Sequence, residues 1–184
     1  MEFLIGLIVV LAVVAIWGVS AYNGFVRMRN VVEEAFSTMD VYMKKRYDLI
    51  PNLVETVKGY AAHEQGTFEK VVQARNVAQN ATTVEDKMAA ENMLTGTLKS
   101  LFALAEAYPD LKANANFMDL QNQLQMVEVD IANSRKYYNA TVKDYNTKTE
   151  QFPSNIIANM FHFQRKTMFE LENESERQNV KVEF

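Results

Sequence analysis

The sequence contains no cysteine and few of the residues that interrupt helices. Without cysteine it has no disulfide framework, no thiolate nucleophile, no zinc–thiolate site and no lipid-modified cysteine. Glycine occurs 6 times and proline 3 times in 184 residues, whereas methionine occurs 10 times. Because few breakers and many unbranched apolar side chains are typical of helices, the composition predicts an all-α protein.

The sequence also lacks the patterns that carry catalysis, since no GxSxG, Walker A or GxGxxG run is present. A di-iron bundle needs a glutamate three residues before a histidine, but Tyr60 and Asn159 stand at that distance from His63 and His162. The alternative is a haem held by one of these histidines and a methionine, against surface histidines and core-filling methionines. We favour the second interpretation and predict no enzyme, no catalytic residue, no cofactor and no metal site.

Basic residues are slightly outnumbered, with 19 Lys and Arg against 23 Asp and Glu and a net charge of −4. A mildly acidic chain is poorly suited to nucleic acid, so no nucleic-acid partner is predicted. One basic run, Lys44-Lys45-Arg46, has two interpretations: contact with acidic lipid headgroups, or a solvated helix face. A solvated face is the commoner case, and we expect it here.

A long uncharged run occupies residues 3–21 and spans about 28 Å as a helix, close to one hydrocarbon core. Trp17 and Tyr22 fall near one end, at the level where amphipathic rings meet lipid headgroups. A cleaved signal peptide would open with basic residues, but the early charged side chain is Glu2. A buried core helix would not be apolar on nearly all faces. The run therefore predicts a transmembrane anchor over residues 1–22.

The charges beside this run predict its orientation. Arg27 and Arg29 follow it, and basic residues near a span tend to stay in the cytoplasm. We therefore expect a single-pass protein of a bacterial-type cell membrane, with its N-terminus outside and its helical domain cytoplasmic.

Apolar residues at helical spacing predict three further helical segments, over residues 23–80, 84–107 and 116–152. Pro51 should kink or briefly break the first. Thr83 and Asn116 are the expected N-caps of the second and third. Residues 108–115 read as a connecting turn, and residues 154–163 as a short fourth helix or a hydrophobic clasp. The charged, apolar-poor residues 172–184 are predicted to be a disordered tail.

Helix lengths suggest self-association. Residues 23–80 would reach about 87 Å as one helix and residues 84–107 only about 36 Å, so part of the first helix lacks a cover. Four apolar side chains should then be short of partners within the chain and form a self-association stripe in a homo-oligomer: Val32, Phe36, Met39 and Met43.

Several runs carry a family resemblance. YDLIPNLVETVKGY at residues 47–60, AYPDLKAN at 107–114, YYNATVKDYN at 137–146 and FPSNIIANMFHF at 152–163 together resemble the LemA family. The resemblance implies an N-terminally anchored, all-helical protein with a four-helix up-and-down bundle over residues 23–171. It implies no particular reaction or ligand. A branch of the family associated with magnetosome membranes suggests membrane remodelling or scaffolding.

Two functions follow as hypotheses. The first is a membrane-anchored helical scaffold that contacts the lipid bilayer and binds itself or an unidentified partner protein there. The second is a signalling or sensory adaptor that presents a helical surface to a partner protein. The oligomeric state in detergent distinguishes them, because a large defined homo-oligomer favours the scaffold and a monomer favours the adaptor.

Overall fold

A computed structural model describes residues 1–170 of the chain, and within that range it contains helices and no strand. The helices are α1 (Glu2–Lys58), α2 (Gln65–Asn80), α3 (Val84–Ala105), α4 (Pro109–Lys112), α5 (Ala115–Glu150) and α6 (Ser154–Met160). The predicted all-α class is therefore confirmed. The tail predicted at residues 172–184 lies outside the described residues.

The described residues fall into two compact units. Unit 1 contains Met1–Val41 and Ala132–Met168, and unit 2 contains Tyr42–Ile131 with residues 169–170. Helices α1 and α5 therefore contribute residues to both units.

Helix α1 is one uninterrupted element of 57 residues with Pro51 in its interior. The short break that we considered at Pro51 is therefore wrong. The helix ends at Lys58 instead, and a turn over residues 59–64 leads to α2. The predicted segment over residues 23–80 is thus two helices.

The capping predictions were right at one helix and wrong at the other. Thr83 caps α3, with its side-chain oxygen accepting from the amide of Asp86 at 3.0 Å. Asn114, and not Asn116, caps α5, since its Oδ1 accepts from the amide of Phe117 at 3.0 Å. The predicted turn over residues 108–115 also contains the short helix α4, which begins at Pro109 because proline fits the first helical position.

Unit 2 is a bundle of four helix segments whose pairings can be followed through side chains. Arg46 of α1 pairs with Glu91 of α3 and Glu128 of α5. Arg75 of α2 bonds to the α1 backbone, and Phe102 of α3 meets a phenylalanine of α5 with ring centroids 6.3 Å apart. Its apolar core includes Ile50, Leu53, Leu94, Leu101 and Leu124.

In unit 1, residues 166–167 run beside α5. Asn146 of α5 donates through Nδ2 to the carbonyl of Lys166 at 2.9 Å and accepts the Lys166 amide at 2.8 Å. The hydroxyl of Tyr138 donates to the Thr167 carbonyl at 2.8 Å. These bonds satisfy backbone groups that lie outside the helices, so residues 166–167 have defined positions.

The stripe proposed for self-association is covered by the chain itself. Val32 and Met39 are buried in unit 1 and Met43 in unit 2, while half-buried Phe36 packs on Tyr138 with ring centroids 5.6 Å apart. The premise that these side chains lack intramolecular partners is therefore wrong. The length comparison overlooked α5, which at 36 residues is long enough to contribute to both units.

Candidate functional site

A charged cluster lies inside unit 2. Arg46 is 2% exposed and donates through its two terminal nitrogens to Glu91 and, at 2.5 Å, to Glu128. The hydroxyl of Tyr47 donates to the other oxygen of Glu91. Lys87, one turn before Glu91 on α3, is buried as well. The cluster ties α1, α3 and α5 together by charge-assisted hydrogen bonds, which are stronger than those between neutral groups.

The helical repeat explains why these polar side chains point inward. Arg46 and Tyr47 follow Met39 and Met43 on the buried face of α1, at steps of three and four residues. Glu91 occupies the equivalent place on α3, three residues before buried Leu94. Both charged residues therefore stand at positions where the pattern calls for apolar side chains.

Tyr47 has a second role that depends on Pro51. In a helix the carbonyl of Tyr47 would accept from the amide of residue 51, but proline has no amide hydrogen. Arg75 of α2 replaces that donor, since its Nε donates to the Tyr47 carbonyl at 2.7 Å. The orphaned carbonyl is satisfied from another helix, which explains how α1 continues through Pro51.

Burial controls the electrostatics of the cluster. Desolvation raises the pKa of Glu91 above its ordinary value, and the charge of Arg46 and the hydrogen bond from Tyr47 only partly oppose this. For Arg46, desolvation lowers the pKa, but the charges of Glu91 and Glu128 outweigh it and hold the pKa above its ordinary value. The cluster therefore favours the charged form of Arg46, whereas burial favours the neutral form of Glu91.

The cluster corrects our interpretation of the basic run. Lys44 and Lys45 are exposed, as a solvated face requires, but Arg46 is buried and belongs to neither a solvated face nor a headgroup-binding patch. The available signal was its spacing from Met39 and Met43. The run of three basic residues suggested a single solvated surface. Consecutive residues on a helix point in different directions, however, so Arg46 can face inward while Lys44 and Lys45 face water.

An open groove of about 1020 Å³ lies between α2 and α3 in unit 2. Its lining includes Phe68, Val72 and Met93, with Glu69 and Asp86 among its polar residues. Val72 and Met93 remain substantially exposed. A groove lined by both apolar and polar side chains can accept the apolar face of a helix or an extended peptide.

In unit 1, the first part of α1 is a bare apolar surface. Its most apolar 18-residue window has a mean hydropathy of 2.8 and is 0% buried, so by length and composition it could cross a membrane. Trp17 and Tyr22, the predicted interface residues, are each 37% exposed. Arg27 and Arg29 are exposed on the turns that follow.

Tyr22 belongs to an aromatic cluster with two phenylalanines that directly follow α6. Its ring lies 4.8 Å from that of Phe161 and 5.6 Å from that of Phe163. Phe25, which is fully buried, stacks on Phe163 at 4.9 Å and meets Tyr145 edge-on at 6.2 Å. Burial raises the pKa of Tyr145, against the opposing charge of nearby Arg29. The rings fix α6 and the chain after it against α1.

The two histidines lie in unrelated surroundings. His63 is exposed in the turn between α1 and α2. His162 has a positive φ of 58° and closes α6, where the amide of Phe163 bonds to the Ala158 carbonyl at 2.9 Å. This is the left-handed helix end at which glycine is usual. Over residues 1–170, no group of three or more His, Cys, Asp or Glu side chains could hold a metal ion, and the absence of a cofactor stays a prediction.

Comparison with known proteins gives a family match over most of the chain. The model of the LemA family matches residues 35–184. Protein LemA of Metamycoplasma hominis is 25% identical over 162 residues, covering 86% of this chain and 72% of that protein. Magnetosome protein MamQ 2 of Paramagnetospirillum magneticum is 26% identical over 175 residues, covering 81% of this chain and 64% of that protein.

A second magnetosome protein gives the same picture. Magnetosome protein MamQ of Magnetospirillum gryphiswaldense is 24% identical over 174 residues, covering 80% of this chain and 64% of its own length. The chain thus spans just under two thirds of these magnetosome proteins.

Proposed function

The chain belongs to the LemA family, and on that premise we propose that it is a membrane-anchored helical scaffold. It organises other proteins, or further copies of itself, at a lipid bilayer and acts by binding without catalysis. The observation that carries this proposal is the bare apolar start of α1, which continues without a break into helix that packs in a folded body.

The proposed topology places the helical body in the cytoplasm. Residues 3–21 cross the bilayer, Trp17 and Tyr22 lie at its cytoplasmic boundary, and Arg27 and Arg29 stay on that side. The exposed positions of both arginines suit a place outside the hydrocarbon core, because a charged side chain beside a span is stable only where it reaches water or headgroups. The direction of the span is proposed from the tendency of basic residues to stay in the cytoplasm. The similarity to magnetosome proteins supports a role in shaping or organising membrane.

Two measurements test the anchor and its direction. The intact mass of the membrane-extracted protein should include residues 1–21, whereas a mass that starts at Tyr22 would show a cleaved signal peptide. Because the chain has no cysteine, Val129→Cys and Glu2→Cys give two single-thiol variants at exposed positions. A membrane-impermeant thiol reagent should label only the Glu2→Cys variant in intact cells, and the reverse result would invert the topology.

The α2–α3 groove favours a second candidate function, an adaptor that presents a helical surface to a partner protein. Light scattering of the detergent-solubilised protein distinguishes the two. A defined homo-oligomer supports the scaffold and a monomer supports the adaptor. Contacts between copies would use surfaces other than the stripe of Val32, Met39 and Met43, which are buried within the chain.

A further inference from the structure

We propose that residues 152–161, which include α6, form a second membrane contact: they lie in the boundary between headgroups and acyl chains, beside the end of the α1 span. This inference rests on the proposed function, because it requires residues 3–21 to be in a bilayer. The partner is the lipid surface itself.

The first support is the position at which α6 packs on α1. An apolar notch of about 450 Å³ lies between the two helices, lined by Ala15, Gly18, Val19 and Tyr22 of α1 with Ile157, Met160 and Phe161. Ile157 faces inward and is buried; a Cβ at Gly18 would lie 3.8 Å from its Cδ1. The contacts of α6 therefore fall within the last two turns of the apolar run.

That position corresponds to a shallow depth in the membrane. Ala15 lies six residues before the end of the run at Ala21, which is about 9 Å along a helix. Helices that lie flat in the interface bury their apolar face about 5–10 Å into the boundary region. With α1 crossing the bilayer, α6 comes to the depth that such helices occupy.

The second support is the exposed apolar surface of residues 152–161. Phe152 is 81% exposed and Ile156 48% exposed, and at the edge of the notch Met160 and Phe161 still expose 63% and 50% of their surface. Residues 151–164 contain no Asp, Glu, Lys or Arg. Charged residues flank this stretch at both ends: Glu150 precedes it and Arg165 follows it. Their exposed side chains form an ion pair with 2.6 Å between nitrogen and oxygen. An apolar face between charged ends suits a segment that enters lipid while its ends stay in water.

The third support is continuity. Through the notch, the apolar face of α6 joins the bare apolar surface of α1, which has none of its window buried. Exposing this continuous apolar surface to water is unfavourable, and large exposed apolar patches mark contacts with membranes or proteins. Because this patch continues a surface that needs lipid, a bilayer covers both at once, whereas a second copy of the chain would have to cover α6 alone.

The single tryptophan makes the inference directly testable. The full chain is reconstituted into phosphatidylcholine vesicles whose acyl chains carry bromine either near the headgroups or near the bilayer centre. Trp17 of the natural sequence reports on the α1 span. The test variant combines Trp17→Phe with Met160→Trp, and the control combines Trp17→Phe with Val129→Trp, a comparably exposed position in unit 2.

We expect the tryptophan at position 160 to be quenched by the shallow bromine at least about twofold more than the control tryptophan, and little by the deep bromine. Adding Ile156→Asp to the test variant should lower that quenching, because a carboxylate resists entry into lipid. Ile156 and Met160 are surface positions in the folded chain, so both variants should keep the helical circular dichroism of the natural protein.

Three results overturn the inference and remain distinguishable. If Trp17 is quenched by lipid but the tryptophan at 160 is quenched only by aqueous acrylamide, α6 lies in water and the anchor still stands. If the tryptophan at 160 is shielded from both lipid and acrylamide, protein covers it, as a second copy would. If Trp17 itself is not quenched by lipid, the proposed membrane anchor fails and the inference fails with it.

Discussion

Unit 1 and unit 2 bury different kinds of side chain. Among residues 1–170, the buried charged residues, Arg46, Lys87 and Glu91, all lie in unit 2. Both units bury aromatic rings, but the buried polar groups of unit 1 are the neutral side chains of Ser134, Asn146 and Thr149. Unit 2 therefore depends on matched charges between helices, while unit 1 depends on neutral hydrogen bonds. The two units should respond differently to mutation and to pH.

The largest expected effect is the loss of one partner in the charged cluster. Glu91→Ala leaves Arg46 buried with only the half-exposed Glu128 as a partner, and breaking a buried ion pair costs about 3–5 kcal/mol. Denaturant unfolding in detergent measures this change. Arg46→Met combined with Glu91→Leu should recover most of the loss, because it removes both charges and keeps apolar volume. Equal damage from the double and single variants would mean that charge is not what unit 2 depends on.

The hydrogen bond between α2 and α1 gives the next effect. Arg75→Ala removes the charged donor to the Tyr47 carbonyl, and a hydrogen bond that involves a charged group contributes about 1.5–3 kcal/mol. The same change should cost clearly less in a Pro51→Ala background, where residue 51 regains its amide. Unfolding of the four proteins in this double-mutant cycle measures the coupling. Additive effects would show that Arg75 stabilises unit 2 in some other way.

The matching test in unit 1 uses a neutral group. Asn146→Ala removes both hydrogen bonds to the Lys166 backbone, each worth about 0.5–1.5 kcal/mol. The change should therefore release the backbone around Lys166 from α5. Hydrogen exchange at the Lys166 amide and the free energy of unfolding both report it. Asn133→Ala, at an exposed position on the same helix, is the control and should change neither quantity.

The pH dependence sharpens the comparison further. Burial raises the pKa of Glu91 above its ordinary value of 4.5, so the fold favours the protonated form. The stability that this contributes is fully present below pH 4.5 and is lost as pH rises through the raised pKa. Glu91→Gln should therefore flatten the decline of the unfolding free energy over that range. An unchanged profile in the variant would assign the pH dependence to other groups.

Much of the helical architecture could be predicted from local pattern, and the missed features depend on contacts between distant residues. The α3 cap at Thr83 and the apolar run of α1 are encoded within a few neighbouring residues. The continuity of α1 through Pro51 depends on Arg75, which is 24 positions away in the sequence. Likewise Arg46 looks like a surface residue until Glu91 and Glu128 are placed beside it. No single-helix pattern contains those pairings.

The smallest expected effect concerns the end of α6, which packs on the proposed membrane segment. His162 holds a left-handed conformation with φ 58°, and a residue with a Cβ pays for that conformation where glycine does not. His162→Gly should therefore stabilise unit 1 by about 0.5–1 kcal/mol, less the extra entropy of glycine in the unfolded chain.

The other histidine supplies the control for this prediction. His63 lies in an exposed turn without a positive φ, so His63→Gly should be neutral or slightly destabilising in the same unfolding measurement. If both glycine variants lower the stability alike, the His162 side chain makes contacts that outweigh its backbone strain. The end of α6 would then be held by the imidazole as well as by the aromatic cluster of Tyr22, Phe161 and Phe163.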